Sequence, residues 1–286
     1  MSKKIIVSLF IICLFLLSVT LVQAQSSNAD KITVPLTDPS RPVHLKAGLL
    51  NGSITVTASS GKDVTVEAKI RKDEDDDEEK DEDDDNSRKR AGLKRISNSS
   101  TGLSVEEDNN DVDVSSGVLG GSRTVDLFIQ VPVTTSMKLS TINNGDVHVT
   151  GVKGDVEVSN TNGSISLSQI SGSAVADALN GEIVVTFVSI DPKKTMSFSS
   201  LNGDIDVTLP PDTKATMSLK TEQGEIYSDF DLKMENSSSK IEDNKGGKRG
   251  KYRVRMEQMM KGTINGGGTE MQFKNFNGSI YIRKGK

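Results

Sequence analysis

The stretch "NNGDVHVTGVKGDVEVSNTNGSISL", residues 143–167, decides how the chain folds. Glycine returns every nine residues at Gly145, Gly154 and Gly163, and the spacing continues to Gly172 and Gly181. Two residues after the glycines stand Val147, Val156, Ile165, Ala174, Ile183, Ile205, Ile226 and Ile280. Four residues after them stand Val149, Val158, Leu167, Ala176, Val185, Val207, Ser228 and Ile282. The residue between is mostly polar, as at His148, Glu157, Ser166 and Asp206. Period-two alternation of this kind marks a strand with one buried and one wet face. An earlier copy, "NGSITV" at 51–56, puts Ile54 and Val56 in the same two columns.

Each glycine reads as a tight corner before a strand, where the missing Cβ permits positive φ. Asparagine precedes it at Asn144, Asn162, Asn180 and Asn202, with Gln223 next, at intervals of 18, 18, 22 and 21 residues. Lys153 and Ser171 occupy the intervening corners. The unit is therefore a turn of the chain with two strands, an Asn-Gly corner and a looser corner. The expected fold class is all-β, a solenoid-like stack of short strands with Asn-Gly corners. Its turns would lie about 4.8 Å apart with their asparagines in a ladder. The alternative is a β-sandwich, in which Asn-Gly serves as a two-residue hairpin turn. Like register in consecutive copies favours the stack. Pro192, Pro210 and Pro211 fall between strands, where a missing N–H does no harm.

Three segments are expected along the chain. Residues 1–24 read as a signal peptide: Lys3 and Lys4, an apolar run from Ile5 to Leu17, and Val22-Gln23-Ala24 before the cleavage point. Cys13, the sole cysteine, lies within it, so the mature protein has no thiol chemistry. Residues 25–135 form a degenerate β region. Its insert, residues 73–85, has acids at twelve of thirteen positions and is expected to be disordered. Residues 136–286 form the glycine-beat β-repeat region, continuous with the preceding one. A second polar interruption, 235–251, has the composition of a flexible basic loop.

Loss of residues 1–24 takes Lys3 and Lys4 from the 35 basic residues, leaving 33 against 40 acids and a net charge of −7. That balance argues against nucleic-acid binding. No second long apolar segment follows, so no membrane span is expected after cleavage. Aromatics are 4% and tryptophan is absent, so the core must rest on small aliphatic contacts.

From "LFIQVPVTTSMKLSTINNGDVHVTGVKGDVEVSNTNGSISL" through "NGDIDVTLPPDTKATMSLKTEQGEIYSDF" to "GTINGGGTEMQFKNFNGSIYIRK", the chain resembles the bacterial putative-adhesin family. The nine-residue beat, the "VTLPPDT" break and the closing "GGGTEMQFKNFNGSIYI" carry the resemblance, which is clearest over 124–286. It implies an exported protein with a β-repeat body and an adhesive or envelope role. The family assigns no catalytic residues, and the acidic insert is not part of its pattern.

Chemistry is sparse. A polar column follows the glycines at Asp146, Asp155, Ser164, Ser173, Glu182, Asp204 and Glu225. As paired carboxylates these acids could attack sugars; as corner residues they would cap backbone N–H groups. Serine replaces acid without disturbing the pattern, which favours capping. Asp204, Asp206 and Glu225, acids of adjacent repeats, are the strongest enzymatic candidates. His44 and His148 are far apart, and His148 occupies an outward column. The calcium-roll pattern and the phosphate loop both fail on spacing. Val175, Val184, Tyr227 and Tyr281 in outward columns mark a sticky face or pack beneath a loop.

The expectation is an exported, non-enzymatic protein, periplasmic or at the cell surface, with no catalytic, cofactor or metal residues. It would serve as an adhesin or envelope scaffold whose partner is a surface polymer, an envelope protein or another copy of itself. The alternatives are a polysaccharide-active β-helix enzyme and an accessory factor in envelope-stress signalling.

Overall fold

Alternating aliphatic and polar residues produce strands throughout. The computed structural model describes residues 29–71, 101–116, 123–235 and 259–286; these hold twenty strands and no helix. The expected signal peptide 1–24 with Cys13, the acidic run 73–85 and all but the first residue of the 235–251 interruption lie outside the described residues. The protein is all-β.

In chain order the strands are β1 (Ala29–Pro35), β2 (Val43–Asn51), β3 (Ile54–Ser59), β4 (Asp63–Ile70), β5 (Leu103–Asp108), β6 (Asp111–Ser116) and β7 (Val125–Pro132). They continue as β8 (Thr135–Asn143), β9 (Val147–Thr150), β10 (Lys153–Asn162), β11 (Ile165–Asn180), β12 (Ile183–Ile190) and β13 (Met196–Asn202). The last are β14 (Ile205–Leu209), β15 (Ala215–Gln223), β16 (Ile226–Ser228), β17 (Lys233–Met234), β18 (Met260–Ile264), β19 (Thr269–Asn277) and β20 (Ile280–Lys284).

Their pairings make two rows. In the first row β5, β6, β2, β8, β10, β11, β13, β19, β15, β18 and β17 follow one another. In the second the order is β1, β4, β7, β3, β9, β11, β12, β14, β20 and β16. The interior pairings of both rows are parallel, and the antiparallel ones lie toward the ends. β11 belongs to both rows. Its first residues pair with β9 and its last with β13, and register shifts between Leu167 and Ser171 mark the passage. The looser corner expected at Ser171-Gly172 is thus a bulge within one strand, with Gln169 at φ 56°.

Sequence neighbours are not always spatial neighbours. The last turn, β19 and β20, inserts between β13–β14 and β15–β16. The early turn, β2 and β3, inserts between β6–β7 and β8–β9.

Parallel register places like over like. Ile54, Val147, Ile165, Ile183, Ile205 and Ile280 form one inward column, all fully buried. Across from them run Ala47, Leu139, Val158, Ala176, Phe198, Phe273 and Leu219. The Phe198 and Phe273 rings lie 5.1 Å apart, and Phe187 meets Phe198 edge-on at 6.4 Å. Each fully buried aliphatic side chain contributes roughly 1.5–3 kcal/mol, so the core is a sum of many thin layers.

The corners are held by polar ladders. Asn162 donates to the Asn143 side-chain oxygen at 2.8 Å, Asn180 to Asn162 at 2.8 Å, Asn202 to Asn180 at 2.7 Å and Asn277 to Asn202 at 2.7 Å. The first member is Asn143. Asn144 is instead the left-handed corner residue, at φ 59°. Beside the ladder the glycines stack against each other's backbones. A Cβ on Gly163 would lie 2.1 Å from the Gly145 carbonyl oxygen, and one on Gly181 would lie 2.0 Å from that of Gly163. Close approach, more than positive φ, excludes side chains here: Gly145, Gly154 and Gly181 lack a left-handed φ yet face the same clash.

Candidate functional site

Where β6, β2, β8, β10 and β11 lie side by side, the outward face of the first row forms a cleft of about 600 Å³. Period-two alternation turns every second residue of these strands outward, and parallel register lines them up. One column runs Asp111, His44, Ser136, Asp155 and Ser173, and the next runs Asp113, Lys46, Lys138, Glu157 and Val175. Between them the side chains of Leu45, Val112, Met137 and Val156 turn inward to the core, so their backbone forms the floor.

The charged column places two neighbouring lysines between two acids. Lys46 pairs with Asp113 at 3.2 Å and Lys138 with Glu157 at 2.6 Å. Lys194, from the loop between β12 and β13, pairs with Asp155, which also accepts a bond from the Ser173 hydroxyl at 2.7 Å. Burial alone would raise the Asp155 carboxyl. The bonds from Lys194 and Ser173, with the charges of Lys194 and His44, outweigh it and hold Asp155 below the usual carboxylate range. Lys194 is raised by the same Asp155 bond. Cross-strand opposite charges support the sheet modestly, and the same groups present both signs of charge to a ligand.

The polar residues after the glycines divide between two corners. At the Asn-Gly corner they cap backbone: the Ser164 N–H donates to Asp146 at 2.7 Å and the Ser279 N–H to Asp204 at 2.8 Å. At the other corner the Asp155 N–H donates to the Ser136 hydroxyl at 3.1 Å. Asp204 and Glu225 share a column, but the rung carrying Ser279 stands between them, because β19 and β20 are inserted there. Asp206 faces outward and accepts two bonds from the Arg283 Nε, each at 2.8 Å. The structure therefore does not gather these three acids into one pair.

His44 on β2 and His148 on β9 stand in different rows and do not meet. Among the described residues no group of three or more His, Cys, Asp or Glu side chains could hold a metal ion. Val175 lines the cleft. Tyr227 and Tyr281 stack on each other at 5.2 Å and 7°, outside the second row. Tyr227 donates to Glu225, and that bond raises its phenol. Arg283 lies 5.3 Å from the centre of the Tyr281 ring.

Sequence reading missed the cleft. Asp113 and Lys46 are 67 residues apart and meet only because the early turn is inserted beside β6. The outward charges of each strand were visible, but not their neighbours.

No family model matches the chain, and no curated protein matches it. Solved structures do resemble it in part. One, described as a putative cell adhesion protein from Clostridium sporogenes, is 11% identical and matches with a TM-score of 0.38 over 90% of this chain and 100% of its own. Another, a putative adhesin from Bacteroides fragilis, is 10% identical with a TM-score of 0.29 over 90% and 96%. A third, a putative lipid binding protein from Parabacteroides distasonis, is 11% identical with a TM-score of 0.28 over 91% and 98%. Among the described residues no helix is long and apolar enough to cross a membrane.

Proposed function

We propose that the protein is an exported, non-enzymatic binding protein of the bacterial envelope that captures a surface polymer or envelope protein through the cleft on its first row. The observation that carries this reading is the cleft itself. Five strands set charged, hydroxyl and imidazole groups in regular columns over a floor of sheet backbone. Such a surface offers hydrogen bonds and both charge signs at a spacing of about 4.8 Å per strand, suited to an extended chain molecule lying across the strands.

The parallel pairings support a solenoid for the body, with residues 25–135 and 136–286 continuous. Val156 lies over Ala174 and Ile165 over Ile183, each 18 residues on, as a wound chain requires. The capped acids and the rung between Asp204 and Glu225 favour binding over glycoside chemistry, which needs two carboxyls flanking one bond at roughly 5–9.5 Å.

The test is a glycan and envelope-protein array probed with the wild type, Lys46→Glu/Lys138→Glu and His148→Ala. Retained polymers are then assayed for new reducing or unsaturated ends. Binding lost in the double variant, kept in His148→Ala and unaccompanied by cleavage is the expected result. Released sugar ends that disappear in Asp204→Asn would replace this reading with the enzyme.

A further inference from the structure

The residue before each ladder asparagine, and before Asn51 in register with Asn143, points outward at the end of its strand. Along the first row these positions are Leu50, Ile142, Thr161, Leu179, Leu201 and Phe276, in that spatial order, and Glu222 ends the column as its seventh rung. Leu50 is 64% exposed and Ile142, Leu179, Leu201 and Phe276 are 41–44% exposed. They form an apolar ridge along the fold, away from the cleft columns.

The columns beside the ridge carry few charges, Asp177 midway and two lysines at one end. On one side runs the asparagine ladder. On the other runs a column of Gly48, Ser140, Ser159, Asp177 and Ser199 that ends in Lys274 and Lys220. An apolar centre with a mainly polar border is the anatomy of a protein–protein interface. An anionic membrane surface would call for basic residues along the whole border, and here they stand at one end alone.

We propose that this ridge is the contact between two copies of the chain, packed ridge against ridge about a two-fold axis parallel to it. The charges select that partner and that axis. Lys274 and Lys220 are direct neighbours in register, an unfavourable pairing of like charges that Glu222 meets only at Lys220, at 2.9 Å. Near the same end, on the opposite side of the ridge, stand Asp204 and Glu225, in a corner column that also carries Asp146 and Glu182 and no cation. An axis along the ridge sets Lys274 and Lys220 of one copy near Asp204 and Glu225 of the other; it also brings Glu222 to its own equivalent, where Lys220 neutralises it, and Asp177 near Glu182. An axis across it sets acids on acids. The rung repeat is common to both copies, so side chains at about 4.8 Å spacing interleave without mismatch.

The size fits a reversible dimer. Seven rungs and three columns span about 29 by 20 Å. That is a footprint of roughly 600 Å² per copy, at the lower limit of specific interfaces. The inference does not depend on what the cleft binds.

Sedimentation equilibrium and oxidative cross-linking of the purified protein test it. The wild type is expected to show a concentration-dependent monomer–dimer equilibrium, and Leu179→Asp/Leu201→Asp to weaken it at least about tenfold with an unchanged circular dichroism spectrum. Leu201→Cys is expected to form a disulfide-linked dimer, because the axis brings equal rungs together. Val188→Cys, 62% exposed on the second row, is expected not to. A wild type that stays monomeric, a dimer indifferent to the double variant, or a monomer that binds phosphatidylcholine vesicles through the ridge would each overturn the proposal. So would cross-linking at Val188→Cys in place of Leu201→Cys.

Discussion

The place a Cβ would take on Gly181 lies 2.0 Å from the carbonyl oxygen of Gly163, one rung away. Backbone is stacked on backbone at that corner with no room for a methyl group. The same relationship joins Gly163 to Gly145 and Gly203 to Gly181. The glycine beat is therefore a packing requirement repeated at each rung.

Gly154→Val and Gly163→Val are expected to destabilise the protein by roughly 2–4 kcal/mol each. Glu157→Ala and Ser166→Ala, at outward positions, should cost under about 1 kcal/mol. Thermal melts of the four variants read the difference. Equal losses in all four would contradict the corner packing.

A missing hydrogen bond gives the second prediction. Two residues before the ladder, Thr141, Asn160, Ser200, Asn275 and Thr221 each donate to a corner glycine carbonyl, at 2.8–3.0 Å. Ala178 holds the equivalent place facing Gly163 and cannot donate. Ala178→Ser should stabilise the protein by about 0.5–1.5 kcal/mol. A lower midpoint in urea would mean the hydroxyl cannot reach that carbonyl.

The ladder itself can be interrupted. Asn180 donates to Asn162 and accepts from Asn202. Asn180→Ala removes both bonds at an exposed corner and should cost about 1–2 kcal/mol. Asn144→Ala leaves the ladder whole but puts alanine at φ 59°, a cost of about 1 kcal/mol from backbone strain. Additivity in the double variant, measured by denaturant titration, would separate the two causes, and a full overlap would refute their separation.

Asp155 supplies a pH dependence. Its folded carboxyl titrates below the ordinary value of 3.8, so its contribution is present above that value and is lost as pH falls through the lower, folded one. With side chains 47% and 46% exposed, the Lys194–Asp155 pair is worth at most about 1 kcal/mol. Asp155→Asn should lower stability by that amount at pH 7 and by nothing near pH 2. A difference that persists undiminished at pH 2 would assign the effect to packing.

Much of the fold was legible because strand patterning is local. The inward columns at Ile54, Val147, Ile165, Ile183, Ile205 and Ile280 follow from alternation alone, and parallel pairing needs only equal spacing. The ladder was legible except at its ends: one extra corner residue moves the first role from Asn144 to Asn143, and Asn277 rather than Gln223 follows Asn202 because β19 is inserted there. The insertion of β2–β3 and β19–β20 was not legible. Nothing in "FKNFNGSIYI" distinguishes an interior rung from a terminal one, because both offer the same columns. The cleft and the ridge depend on that order, so their neighbours, Lys46 with Asp113 or Leu201 with Phe276, could not be named from the chain.

The central claim is that the outward face over β2, β8 and β10 is where the protein binds. Hydrogen–deuterium exchange, with and without the polymer that the array retains most strongly, tests it directly. The account predicts new protection at His44–Lys46, Ser136–Lys138 and Asp155–Glu157, with the second row unchanged at Thr55, His148 and Ser166. Protection confined to the second row, or absent from all three cleft strands, would contradict it.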